Sequence, residues 1–166
     1  MGIPSVDPTA GSPLLRYGAR VTGTKPGRWL ARRVAPRIDP TLLRASRGRL
    51  SSALVTPELL LIHTGSRTGR RRTTPLTYFT DQGRAIVIAS NYGGARHPAW
   101  YYNVLANPTV TISAGGYTGT FLGEEVSSPD RERLWGLAIE FIPSYAEYEQ
   151  LAGERRIPIL AFTEID

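Results

Sequence analysis

Cysteine is missing altogether, and histidine (two residues), methionine (one) and lysine (Lys25 alone) are nearly so. Without cysteine the chain forms no disulfides and offers no thiolate ligands, and His63 and His97 alone make a poor zinc site, so no metal is expected. No run reaches the roughly 18 to 20 apolar residues that a spanning helix requires. The Gly/Pro-rich N-terminus lacks the apolar core of a secretory signal. These absences together fit a cytoplasmic protein. Hydrolytic machinery is also wanting: there is no nucleophile elbow and no pair of carboxylates in apolar surroundings.

What is present is enough hydrophobic residue (41%) for one domain with a real core. The charge is unevenly spread. Residues 1–50 carry ten basic and two acidic side chains, whereas residues 51–166 carry ten and twelve. The expected organisation is therefore a basic, helical N-terminal extension over 1–50 and a separate, slightly acidic domain over 51–166. Helices in 13–50 are broken at Gly23, Pro26, Pro36 and Pro40. Trp29, Leu30 and Val34 lie among Arg28, Arg32, Arg33 and Arg37, a partly amphipathic pattern. It suits either packing across the main domain or contact with an anionic membrane surface.

From Glu58 onward the pattern predicts strands at 59–64, 72–80, 84–90, 109–113, 117–126 and 157–163. Asp81-Gln-Gly83 and Ala114-Gly-Gly116 read as hairpin turns. Pro75 marks an edge, a bulge or a break. Helices are expected at 98–106, from about 130 to 141 with Ser128 as its cap, and at 144–151. Six strands in hairpins with inserted helices indicate a mainly β (α+β) fold, a small antiparallel barrel.

Three constellations carry chemistry. The first is Thr64-Gly-Ser-Arg-Thr-Gly-Arg-Arg-Arg-Thr-Thr-Pro75, with four arginines, two glycines and no acid. Its glycines promise a tight turn with exposed N–H groups and its guanidiniums add forked donors, which suits a phosphate or a polycarboxylate. It has neither P-loop nor dinucleotide spacing, and a plain basic hairpin turn is the competing reading. The second is Ala89-Ser-Asn-Tyr-Gly-Gly-Ala-Arg-His-Pro-Ala-Trp-Tyr-Tyr-Asn103, a strand end passing through small residues into an aromatic helix. Such junctions hold flat ligands, and equally serve as ordinary connections with Trp100 and Tyr101 in the core. His97 reads as a helix-entry residue rather than a base. The third is Phe141-Ile-Pro-Ser-Tyr-Ala-Glu-Tyr148, where Tyr145 and Tyr148 share a helix face, for packing or for lining a pocket. An anion-binding loop beside a small aromatic pocket favours chemistry borrowed from an organic cofactor.

At these residues the chain resembles the deazaflavin-dependent nitroreductase family, the actinobacterial split-barrel oxidoreductases that use coenzyme F-420. The matching segments are 60–69, 72–76, 88–94, 97–108, 143–148 and 156–159, in the family's order. The resemblance implies a six-stranded antiparallel split β-barrel with flanking helices, of the FMN-binding type. It implies that Arg67, Thr68, Gly69 and Arg72 hold the cofactor's phosphate and oligoglutamate tail, assisted by Arg70 and Arg71. Ala89, Ser90, Asn91, Gly93 and Gly94 would approach the ring, Pro75 and Thr77 would line the pocket, and Trp100 and Asn103 would brace it. Tyr145 and Tyr148 match substrate-side tyrosines, and Ser90 with the two tyrosines forms the implied catalytic set. The implied reaction is hydride transfer from reduced F-420 to a quinone, an activated alkene (an enone) or a nitroaromatic. The location expected from the residues themselves is cytoplasmic, with residues 13–49 either packed on the main domain or in peripheral contact with the inner membrane face.

Two departures stand out. Asn91 occupies the place of a lysine in the best-known members, and Ile142 that of a third tyrosine. The alternative readings are a non-catalytic flavin or deazaflavin carrier, with FMN as second-choice cofactor, and a nucleic-acid binder. The last lacks a recognised motif, and no nucleic acid is expected as a partner.

Overall fold

The computed structural model describes residues 2–10 and 56–165. The expected helices of 13–50, their arginines and the boundary near residue 50 lie outside the described residues.

Seven strands form one antiparallel sheet: β1 (Glu58–Thr64), β2 (Arg71–Thr77), β3 (Phe79–Asp81), β4 (Arg84–Ile88), β5 (Thr109–Ala114), β6 (Tyr117–Glu125) and β7 (Ile159–Ile165). Their order is β2-β1-β5-β6-β7-β4-β3. The expectation of six strands closing a barrel is corrected here. The stretch 72–80 is two strands, and they occupy opposite edges of the sheet with only Tyr78 between them. The sheet must therefore curl until its edges meet at Tyr78, yet no ladder joins them among the described residues. Tyr78 is the reason for the break. Its side chain is buried, its N–H turns to Pro57 O (3.3 Å), and its hydroxyl donates to Pro4 O (3.0 Å). Burial also pushes the Tyr78 phenol up to about 12. Pro75 lies in β2 opposite Leu60. As an edge strand β2 has a single neighbour, which is where a residue lacking an N–H is tolerated.

The residues at the free side of β3 meet the start of the chain. Thr80 N–H donates to Val6 O (2.9 Å), and Val6 N–H donates to Thr80 Oγ1 (2.8 Å). Both hairpin turns form as expected, with left-handed pairs at Gln82-Gly83 (φ 50°, 78°) and Gly115-Gly116 (φ 58°, 88°).

Strand periodicity divides the core in two. Along β4, Ala85 and Val87 join Leu59, Leu61, Ile112, Phe121 and Phe162 on one face, while Ile86 and Ile88 join Phe79, Leu134, Phe141 and Ile159 on the other. The strand is thus an unbroken apolar run because both of its faces are covered. Each fully buried large side chain contributes about 1.5–3 kcal/mol.

Three helices flank the sheet: α1 (Ala99–Ala106), α2 (Asp130–Phe141) and α3 (Ser144–Ala152). The expected Ser128 cap does not form, because its hydroxyl is taken by Glu132 Oε1 (2.8 Å). Instead, α2 is fastened by charge. Arg133 donates to both oxygens of Asp81 (2.8 Å each) and to Asp130, and Arg84 bridges the same two carboxylates. Asp81 and Asp130 are both held below the usual carboxylate range by these guanidiniums.

Candidate active site

The arginine-rich segment forms the turn from β1 to β2. Gly65 donates to Arg70 O (2.9 Å), and its own carbonyl accepts from Thr68 N–H (3.2 Å) and Gly69 N–H (2.8 Å). Gly69 adopts φ 63° in open space, the left-handed conformation a glycine takes without strain. Arg70 N–H goes to Thr68 Oγ1 (3.4 Å), and Ser66 N–H goes to Asn103 Oδ1 of α1 (2.8 Å). Almost every amide of the turn is therefore already used. What the turn offers a ligand is charge rather than the exposed N–H groups expected from its glycines. Arg67, Arg70, Arg71 and Arg72 are all exposed, and none pairs with a carboxylate among the described residues.

Behind the turn runs a buried polar relay. Because Asn103 Oδ1 accepts from a backbone N–H, its Nδ2 must donate to His63 Nδ1 (3.2 Å). His63 then carries its proton on Nε2 and donates it to Thr74 Oγ1 of β2 (3.0 Å). Burial, and secondarily Arg72, lowers the His63 pKa, so the imidazole is neutral at physiological pH. Asn103 is thus a bolt between turn, helix and strand. Trp100, one turn earlier on α1, is core.

The second constellation leaves β4 through Ala89 and Ser90. Ser90 N–H bonds Ile88 O (2.9 Å), and Gly93 N–H returns to Ser90 O (3.1 Å). Asn91, Tyr92 and Gly93 are left-handed in succession (φ 47°, 52°, 70°). Asparagine tolerates this region, but a tyrosine there is strained by on the order of 1–3 kcal/mol. Asn91 Nδ2 donates to Arg96 O (2.9 Å), which closes the loop on itself. Gly93 is buried against α3: a Cβ would lie 2.6 Å from Leu151 Cβ and 2.9 Å from Tyr148 O.

Arg155, just beyond α3, reaches across this loop. Its Nε donates to Gly94 O (2.8 Å), Nη2 to Ser90 O (2.6 Å), and Nη1 to Ala89 O (3.4 Å) and His97 Nδ1 (3.2 Å). An arginine is donor only, so His97 Nδ1 accepts and its proton sits on Nε2. Burial and the adjacent Arg155 lower the His97 pKa, and Glu125 opposes them. Sequence reasoning missed Arg155, because its partners lie 58 to 66 residues away. Nor does the sequence alone reveal His63 as part of a buried relay, since its partners Thr74 and Asn103 lie 11 and 40 residues away.

Tyr145 and Tyr148 do share a face of α3, with ring centroids 6.0 Å apart. Both are buried. Tyr148 meets Tyr92 edge-on at 5.8 Å, and Tyr145 meets Trp135 at 6.3 Å. Burial, reinforced by Tyr148 and Tyr92, raises the Tyr145 pKa, so this phenol keeps its proton. Ser144 Oγ, next to Tyr145, is buried with no hydrogen-bond partner among the described residues. Pro75 and Thr77 are half-buried on the edge strand. Two of the three groups therefore converge through Tyr92–Tyr148, and the arginine turn joins them through α1, which starts just after His97 and holds Asn103.

Residues 35–164 match the family described as F420H(2)-dependent quinone reductase. An F420H(2)-dependent quinone reductase of Mycobacterium tuberculosis is 34% identical over 143 residues, 82% of this chain and 96% of that one. A solved F420-H2 dependent reductase is 36% identical over 64% of this chain and 93% of its own, with a TM-score of 0.59. A second structure, of a domain-swapped dimer, is 30% identical over 83% and 99%, with a TM-score of 0.60. The chain belongs to the F420H(2)-dependent quinone reductase family, oxidoreductases that draw on reduced coenzyme F-420.

Proposed function

We propose that this chain passes a hydride from reduced coenzyme F-420 to a quinone, binding the anionic tail at Arg67, Arg70, Arg71 and Arg72 and the ring at Ala89–Gly94. The observation that carries the assignment is the turn itself: four exposed guanidiniums without carboxylate partners among the described residues, anchored to α1 by Asn103. A phosphodiester and an oligoglutamate fit such a charge surplus. Thr68, Gly69, Pro75 and Thr77 border the same turn and strand. The Ser144 hydroxyl, buried without a hydrogen-bond partner among the described residues, is a polar group that a ligand would satisfy.

When bound, the reduced deazaflavin supplies a hydride from its C5 carbon. The protein's part is to orient and to stabilise charge. The Ser90 Oγ–H and the protonated Tyr145 phenol are the donors available to an acceptor oxygen that becomes negative. Tyr92, Tyr145 and Tyr148 supply aromatic surface that excludes water and stacks on a flat acceptor. Enones and nitroaromatics are further acceptors of the same polarised type.

Fluorescence titration of F-420 and, in parallel, FMN tests the reading. Micromolar or tighter binding of F-420 alone, followed by reduction of a naphthoquinone, is expected. Preference for FMN moves the chain to the flavin-binding alternative, and binding of neither overturns the assignment.

The same reading includes peripheral contact with an anionic membrane through residues 13–49, which would bring the pocket to lipid-soluble quinones. Among the described residues no helix is long and apolar enough to cross a membrane. Binding to anionic vesicles should weaken with salt and vanish when Arg28, Arg32, Arg33 and Arg37 become glutamine. Substitution is preferable to deletion, since Pro4 and Val6 are bonded to the sheet.

A further inference from the structure

We infer that Arg155 is a positioning residue for hydride transfer: it holds the Ala89–His97 loop in its left-handed form and so sets where the ring lies. The inference rests on the F-420 reading above. Four acceptors of that loop converge on one guanidinium, at 2.6 to 3.4 Å. They belong to residues at both ends of the loop, Ala89 and Ser90 where β4 stops, and Gly94 and His97 where the chain turns into α1. Ser90 O accepts twice, from Arg155 and from Gly93 N–H. That carbonyl is therefore fixed, and with it the backbone from which the Ser90 hydroxyl projects.

The guanidinium acts beside other restraints: Ala89 N–H bonds Pro158 O (2.9 Å), Tyr92 packs on Tyr148, and Gly93 lies against α3. Within the loop, Gly93 N–H bonds Ser90 O, Gly94 N–H bonds Asn91 O, and the Asn91 side chain bonds Arg96 O. Three successive left-handed residues, one a tyrosine, persist only where surroundings over-determine them. A planar fork with five donors spans such a set of carbonyls, whereas a lysine places one point charge and reaches one or two. Arg155 is half-buried, and burial lowers its pKa. Its donors go to three carbonyls and an imidazole rather than to a carboxylate, so it is a clamp and not one half of an ion pair among the described residues.

The test compares wild type, Arg155→Lys, Arg155→Ala and, as a control, Arg156→Gln, whose exposed side chain pairs with Glu132 (3.2 Å). Four readouts are needed: F-420 affinity, the induced circular dichroism of the bound deazaflavin, kcat, and amide exchange at Gly93 and Gly94. Arg155→Lys is expected to lower kcat by about 10²-fold, the cost of roughly an ångström of misplacement. It should alter the dichroism of bound cofactor and change affinity by less than threefold, because the tail is held at Arg67–Arg72. Exchange at Gly93 and Gly94 should rise while β1 and β5 stay protected. Ethylguanidinium added to Arg155→Ala should restore part of kcat and of the dichroism, and Arg156→Gln should match wild type. Wild-type kcat and dichroism in Arg155→Lys would overturn the inference, as would losses that merely track the unfolded fraction. If wild type binds no F-420, the function fails separately. Amide exchange then still judges the clamp, and unchanged protection at Gly93 and Gly94 would refute it.

Discussion

Two loops at the ends of strands meet the same requirement in opposite ways. The arginine turn between β1 and β2 holds itself: Gly65, Thr68, Gly69 and Arg70 bond one another within six residues, and one external bolt, Asn103, fixes its place. The Ala89–His97 loop is held from outside, by a guanidinium 58 or more residues away and by the face of α3 against Gly93. The self-sufficient turn leaves its side chains free to carry charge outward. The clamped loop spends a charged side chain inward to hold a strained backbone. Binding strength is therefore expected to reside in the first and geometry in the second.

The largest effect that would sharpen this contrast comes from reversing charge in the turn. Arg67→Glu, Arg70→Glu and Arg71→Glu together remove three charge-assisted contacts at about 1.5–3 kcal/mol each, so F-420 affinity should fall by about 10³-fold or more. Melting temperature should hardly move, since the three side chains are exposed and have no carboxylate partners among the described residues. A loss below tenfold in the fluorescence titration would place the tail elsewhere.

Next in size is a pair of glycine substitutions. Gly93→Ala forces a Cβ to 2.6 Å from Leu151 Cβ at φ 70°, whereas Gly69→Ala meets nothing within 4 Å at φ 63°. The first should cost about 2–3 kcal/mol and the second about 1 kcal/mol, read as denaturant midpoints. Equal costs would mean that α3 does not hold the loop.

The smallest effect is a pH dependence. The folded His63 pKa lies below its ordinary 6.5, so the unfolded chain takes up the proton first as pH falls. The stability that this imidazole contributes is complete above pH 6.5 and is lost as pH drops through the lowered folded value. Thermal melts between pH 7 and 5 should show a modest decline. His63→Gln should flatten it without abolishing it, because the His97 pKa is lowered too. Asp81 and Asp130 act only below their ordinary 3.8, outside this window.

Legibility in the sequence followed the range of the forces at work. Gln82-Gly83 and Gly115-Gly116 announce their turns because a left-handed pair selects such residues locally. Helix α1 is bracketed by Pro98 and by Asn107-Pro108, and Tyr145 and Tyr148 share a face by periodicity alone. The strand break at Tyr78 was not legible, because the run 72–80 keeps its β-forming character across it. Only the meeting of the sheet's two edges requires the interruption. Nothing local singles out Arg155 beside Arg156, and its four contacts exist only once β4 and the end of α3 are neighbours. Ser128 had a cap residue's chemistry, but Glu132 four residues on competed for its hydroxyl. Among the candidate site residues, composition points to the arginines and the resemblance to Asn103, while His63 and Ser144 acquire meaning through burial.

The first residues of the chain also answer a problem of solubility. A strand at the margin of a sheet offers its amides and carbonyls to any passing strand, and proteins commonly blunt that margin with lysine, proline or a bulge. Along β3 this molecule uses its own leading residues, with Val6 exchanging bonds with Thr80 and Pro4 seated on Tyr78 and Gly115. Preparations trimmed ahead of residue 7 would expose that margin, and should self-associate at concentrations where the intact chain stays dispersed.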